Sequence, residues 1–105
     1  MCGAKTRAGV VGLDGRALYA NCKSVNRNQE LQSFLKIAHK AGKSVGIVTT
    51  TRVTHATPAS AYAHSASREW ENFDDQFAEI ARDGCRDIAS QLVDDHTYIN
   101  VNILN

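Results

Sequence analysis

Two apolar periods alternate along this chain, and each change of period marks an element. Leu31, Phe34, Leu35 and Ala38 recur at i, i+3, i+4 and i+7, a single stripe that predicts a helix over residues 28–41. Asn28 can cap its start, Glu30 stands in its first turn, Lys36 and Lys40 in its last, and Gly42 can end it. The β-branched run 45–53 follows at once, with Gly46, Ile47 and Val48 reading as a buried parallel strand. Pro58 at a first helical position predicts an alanine-rich helix that fades by Ser67 and carries Arg68 at its far end. Phe73, Phe77, Ala81, Cys85, Ile88 and Leu92 mark a further amphipathic helix, loosened at Gly84. Residues 98–104 alternate like a strand, and residues 10–13 form at most a short strand before an Asp14-Gly15 turn. The order helix, strand, helix, helix, strand predicts an α/β layer arrangement.

Composition narrows the class without naming a function. The chain has 105 residues, 43% hydrophobic and 22% charged, the profile of a globular segment the size of one small domain. No apolar run approaches the roughly 20 residues of a membrane span, and no basic-then-apolar signal opens the chain. A mature, cytosolic or truncated product would share those features. The net charge of +1 conceals an asymmetry, with residues 1–53 at +7 and residues 54–105 at −6. A basic half can attract nucleic acid, but the aromatic interleaving of a single-strand platform is missing, so halves that neutralise each other are expected. Three cysteines leave one thiol over however they pair, and three reduced buried cysteines remain an alternative.

Chemistry concentrates where the strand meets the next helix. The turn Thr54-His55-Ala56-Thr57, then Arg68, offers hydroxyls, an imidazole and a guanidinium at a strand tip, the place where α/β proteins hold ligands. Each group has a plainer duty. Thr57 before Pro58 is a helix-cap signature, His55 can be polar surface, and Arg68 can pair with Glu69 or Glu71. Gly42-Lys43-Ser44 is not a phosphate loop, because Ile37 stands where that motif needs glycine and Lys43 precedes a strand rather than a helix. Asp74-Asp75 and Asp94-Asp95 diverge by about 100° per residue on a helix and do not converge on one ion. His39 and His64 show no partner at metal-ligand spacing.

Residues 45–58, Val-Gly-Ile-Val-Thr-Thr-Thr-Arg-Val-x-His-Ala-Thr-Pro, resemble the metal-dependent alkaline phosphatases, most of all the animal branch. So do Ala-Tyr-Ala-His-Ser-x-x-Arg-x-Trp at 61–70, Cys-Gly-Ala-Lys at 2–5, and Gly-Cys-Arg-Asp-Ile-Ala-x-Gln-Leu at 84–92. The likeness spans nearly the whole chain but only a minor internal slice of such an enzyme. It implies part of a three-layer α/β/α sandwich, here a few mostly parallel strands with three helices. Residues 1–105 are then a single partial domain, cut at both ends and either a fragment or a truncated form.

What the resemblance implies for chemistry is specific. Family enzymes hydrolyse phosphate monoesters through a phosphoserine, using two Zn2+ and one Mg2+, and act as homodimers that are secreted or lipid-anchored at the cell surface. In that pattern Thr57 gives its hydroxyl to magnesium, His55 reaches the metal's water or the phosphate without binding metal directly, and Arg68 clamps the phosphate. Cys22 and Cys85 form the disulfide, and Cys2 stays free. The family's nucleophilic serine follows an Asp and lies upstream of the Cys2-Gly3 match. No serine of this chain follows an Asp. The zinc ligands fall in other segments as well, so the isolated chain is expected to be inactive. A phosphatase-like interaction or phosphate-binding module without chemistry is the other reading.

Overall fold

Two short strands set the frame of this computed structural model, which describes residues 1–104. Strand β1 (Val45–Thr49) and strand β2 (Ile99–Ile103) pair in parallel, with Val45 opposite Ile99 and Thr49 opposite Ile103. Helix α1 (Phe34–Lys40) precedes β1, and helices α2 (Ala56–Ala59), α3 (Ala78–Arg82) and α4 (Ile88–Asp95) lie between the two strands in the chain. This is the α/β arrangement with parallel strands that the sequence predicts. The core gathers Leu35 from α1, Val45 and Ile47 from β1, Ile88 from α4 and Ile99 from β2 around Ala59, Tyr62 and Ala63. Only one sheet face is covered. Gly46 and Val48 are exposed, Val48 to 67%, so β1 is not the doubly buried strand its sequence suggests.

Helix α1 starts later than its stripe predicts, and the reason lies in backbone hydrogen bonding. Residues Arg27–Gln29 close a separate 3-10 turn capped by Asn26, whose side chain accepts from Asn28 N–H while the Gln29 side chain accepts from Asn26 N–H. The following backbone is claimed by the N-terminal segment. Leu31 N–H donates to Gly12 O at 2.9 Å, and Asp14 N–H donates to Gln29 O at 2.9 Å. Glu30 between them is extended, at φ −66 and ψ 127, and bridges Leu13 in antiparallel fashion, so a helical ladder cannot run through it. Ser33, not Asn28, is therefore the N-cap, accepting from Lys36 N–H and donating to Ala61 O. The far end matches expectation: Gly42 at φ +84 with Gly42 N–H to His39 O and Lys43 N–H to Ala38 O makes a Schellman ending.

Helix α2 is a single turn rather than a run to Ser67. His55 is its N-cap, so Pro58 occupies the third helical position instead of the first. The chain then leaves helical geometry because Ser65 exchanges two hydrogen bonds with Val11, at 2.8 and 2.9 Å, as an antiparallel bridge. Gly12 makes that approach possible: at φ +66, an added Cβ would sit 2.0 Å from Ala63 O. Arg68 follows in a turn, its N–H on Gly9 O at 2.7 Å, and not on a helix end.

The last amphipathic stretch is broken into α3 and α4 at Gly84, which takes φ +94. Asp87 opens α4. Its Oδ1 accepts from Ser90 N–H at 2.7 Å and its Oδ2 from Phe73 N–H at 2.8 Å. The other unpaired donors of that first turn, Ile88 and Ala89 N–H, bond Trp70 O and Glu71 O at 2.9 and 3.0 Å. Helix α4 thus holds the segment just beyond Arg68. Cys22 and Cys85 are joined by a disulfide with Cα atoms 5.9 Å apart, and Cys2 is free.

Candidate functional site

The turn after β1 is built from its own side chains. Thr49 Oγ1 accepts from Thr51 N–H at 3.1 Å, which ends the strand, and His55 N–H closes a turn on Arg52 O at 2.9 Å. Tyr62 braces the turn from below, its hydroxyl donating to Val53 O at 2.9 Å. Burial raises the Tyr62 pKa, and the Glu71 charge adds to it, so the phenol keeps its proton and its donor role.

His55 and Arg68, 13 residues apart, meet at this tip, with Arg68 Nη2 3.5 Å from His55 Nε2. That is the outer edge of hydrogen-bond distance. Arg68 is exposed, and among the described residues no carboxylate pairs with it. Glu71, three residues on, is engaged elsewhere. Glu71 binds Arg52 through two bonds, Oε1 to Nε and Oε2 to Nη2, each 3.0 Å, and also accepts from Thr54 Oγ1 at 2.8 Å. The Arg52 bond is the largest cause of a Glu71 pKa below the usual carboxylate value, with Thr54 adding to it against burial. Arg68 is left as a guanidinium fork facing solvent beside an imidazole, an arrangement suited to a doubly charged tetrahedral anion.

Thr57 is exposed in the second position of α2, and since His55 is the N-cap, the threonine is not the capping residue its Thr-Pro sequence suggests. For metal the chain alone is insufficient. Among the described residues no group of three or more His, Cys, Asp and Glu side chains could hold an ion. Magnesium wants near-octahedral oxygen and zinc three or four ligands. Thr57 supplies one oxygen, so the residues present do not by themselves fit either metal.

The remaining polar groups have structural duties. Asp94 and Asp95 pair with Arg86 at 2.9 and 2.6 Å, Asp74 caps the 3-10 turn Asp75–Phe77, and His39 stacks on Tyr98 at 3.8 Å. His64 Nε2 lies 2.9 Å from Leu31 O. Two clefts, of about 110 and 560 Å³, share Glu30, Lys36, His64 and His96 and are not lined by His55, Thr57 or Arg68. Sequence reasoning missed Arg52 and Thr54 as Glu71 partners. No spacing rule links residues 17 and 19 apart across a turn, so no local signal could have found them.

The alkaline phosphatase family profile matches residues 1–104. The chain is 46% identical to the tissue-nonspecific alkaline phosphatases of Gallus gallus, over 96% of its length, and Homo sapiens, over 99%, covering 19% of each. It is 44% identical to the alkaline phosphatase of Gadus morhua over 96% of its length, covering 21% of that protein. Among solved structures, the alkaline phosphatase of the Antarctic bacterium TAB5 superposes with a TM-score of 0.52 at 32% identity, covering 78% of this chain and 19% of that one. The chain therefore spans about a fifth of the length of the relatives it matches. With the family profile matched over residues 1–104, the 46% identity and the shared fold, this chain belongs to the alkaline phosphatase family.

Proposed function

We propose that this chain is one corner of a phosphomonoesterase active site, the corner that grips the phosphate. Arg68 holds two non-bridging phosphate oxygens through its fork, and His55 faces the same anion or a water beside it. Thr57 contributes a hydroxyl toward a magnesium ion whose other ligands come from segments outside this chain. The nucleophilic serine and the zinc ligands belong to those segments too, so the chain alone does not turn over substrate. Bound metal would activate the nucleophile and stabilise the leaving oxygen. The residues of this chain bind and orient the ester. The disulfide fits assembly in an oxidising compartment, in keeping with a secreted or surface-held parent enzyme.

One observation carries the reading. Of two arginines near the tip, Arg52 is neutralised by Glu71, while Arg68 lies against His55 with no carboxylate on it among the described residues. In the full-length enzyme carrying this segment, Arg68→Ala should raise the inhibition constant for inorganic phosphate at least about tenfold and slow turnover, and Arg68→Lys should recover little of either. Parent-like phosphate inhibition in both variants would refute the assignment. The isolated chain, supplied with zinc and magnesium, should leave a chromogenic phosphate ester intact.

A further inference from the structure

The Glu71 carboxylate joins three pieces of the tip that are distant in sequence. It receives both the Nε and Nη2 of Arg52 and the hydroxyl of Thr54, the residue before His55. Its own backbone carbonyl is held by Ala89 N–H in the first turn of α4. Arg68 lies three positions earlier in the same loop, anchored at its other end by its N–H on Gly9 O. The Glu71 side chain is the more buried member of the Arg52 pair, at 22% exposure against 66%. It is thus the more enclosed acceptor, on which the exposed Arg52 guanidinium docks. We propose that Glu71 is a positioning residue for phosphate, tying the His55 turn to the Arg68 loop and keeping Arg68 clear of carboxylates. This rests on the reading of Arg68 as the phosphate clamp.

Two consequences follow from the geometry. Bonded to Arg52 and Thr54, the carboxylate makes no ion pair with Arg68, a pairing that would compete with phosphate for the same fork. With one end of its loop bonded to α4 and the side chain bonded to the turn, Arg68 is held beside His55 before the anion arrives. Preorganisation of that kind raises affinity by removing an ordering cost. Glu71→Gln removes the charge and leaves one acceptor oxygen where two were used. Arg52→Ala removes the partner instead, leaving the carboxylate on Thr54 alone and able to turn toward Arg68.

The test is competitive inhibition by inorganic phosphate in the full-length enzyme carrying this segment. It compares Glu71→Gln, Arg52→Ala and Arg68→Ala with each of the first two combined with the third. Inhibition constants report only the active fraction, so a variant that merely folds less well does not move them. Glu71→Gln and Arg52→Ala should each raise the constant about fivefold, and neither should raise it further when Arg68 is already alanine. Phosphate inhibition unchanged or tighter in Glu71→Gln, with Arg68→Ala strongly weakened, overturns the positioning role and leaves the clamp intact. An equal additional loss in the Arg68→Ala background also overturns it, since Glu71 would then act independently. If Arg68→Ala itself changes nothing, the clamp reading fails, and that result is distinct from the other two.

Discussion

Asp87 gives the account its most quantitative handle, because one buried carboxylate holds α4 and the site loop together. Its two oxygens accept separate backbone donors, Ser90 N–H at 2.7 Å and Phe73 N–H at 2.8 Å, with 7% of the residue exposed. Asp87→Ala removes an N-cap, worth about 1 kcal/mol. It also strands the Phe73 donor, a charge-assisted bond worth about 2 kcal/mol. The total is about 3 kcal/mol, or about 15 °C in Tm for a chain of this size. Asp87→Asn keeps one carbonyl oxygen and turns an amide donor toward the other N–H, so it should cost about 2 kcal/mol. Burial pushes the Asp87 pKa up, but the bonds from Phe73 and Ser90 and the Arg86 charge outweigh it and hold the carboxyl below its ordinary value. The carboxylate therefore contributes full stability above the unfolded pKa, and that contribution is lost as pH falls through the folded one. Thermal melts across the acid range are the assay. The gap between parent and Asp87→Asn should be widest near neutrality and narrow below about pH 4. A gap that is absent at neutral pH, or that widens in acid, refutes the reasoning.

Two further perturbations probe the same frame. Gly12→Ala places a Cβ against Ala63 O in left-handed backbone, so it should cost more than about 3 kcal/mol and abolish or sharply lower the melting transition. Cys22→Ser releases a cross-link across a sequence separation of 63, which removes about 4 kcal/mol in the chain-entropy account. Non-reducing peptide mapping should find Cys2 alone alkylated in the parent.

What the sequence showed and what it hid divide along physical lines. Local signals held: Gly42 ends α1, residues 98–104 contain β2, and Gly84 breaks the last helical stretch. Non-local bonds overrode the rest. The stripe from Leu31 to Ala38 is genuine, yet Gly12 and Asp14 claim the backbone at residues 29–31, and α1 begins only at Phe34. The alanine run after Pro58 has high helix propensity, but Val11 draws Ser65 into a bridge, and Arg68 emerges from a turn. Thr57 before Pro58 reads as a cap, while the structure gives that place to His55. The tip itself was legible because a strand, a polar turn and an arginine lie within 24 residues, counting from Val45 to Arg68. Its support was not, since Glu71 touches Arg52 and Thr54 only through the fold.

His55 and Arg68 are proposed to serve one small tetrahedral anion, with Thr57 turned to an adjoining magnesium. The most direct test is a crystal structure of the full-length enzyme carrying this segment, with inorganic phosphate bound. Two phosphate oxygens should lie within about 3 Å of the Arg68 guanidinium, with His55 beside the same anion and the Thr57 hydroxyl on the adjoining metal. A phosphate held by other residues, with Arg68 turned to bulk solvent or paired with a carboxylate, would contradict this assignment.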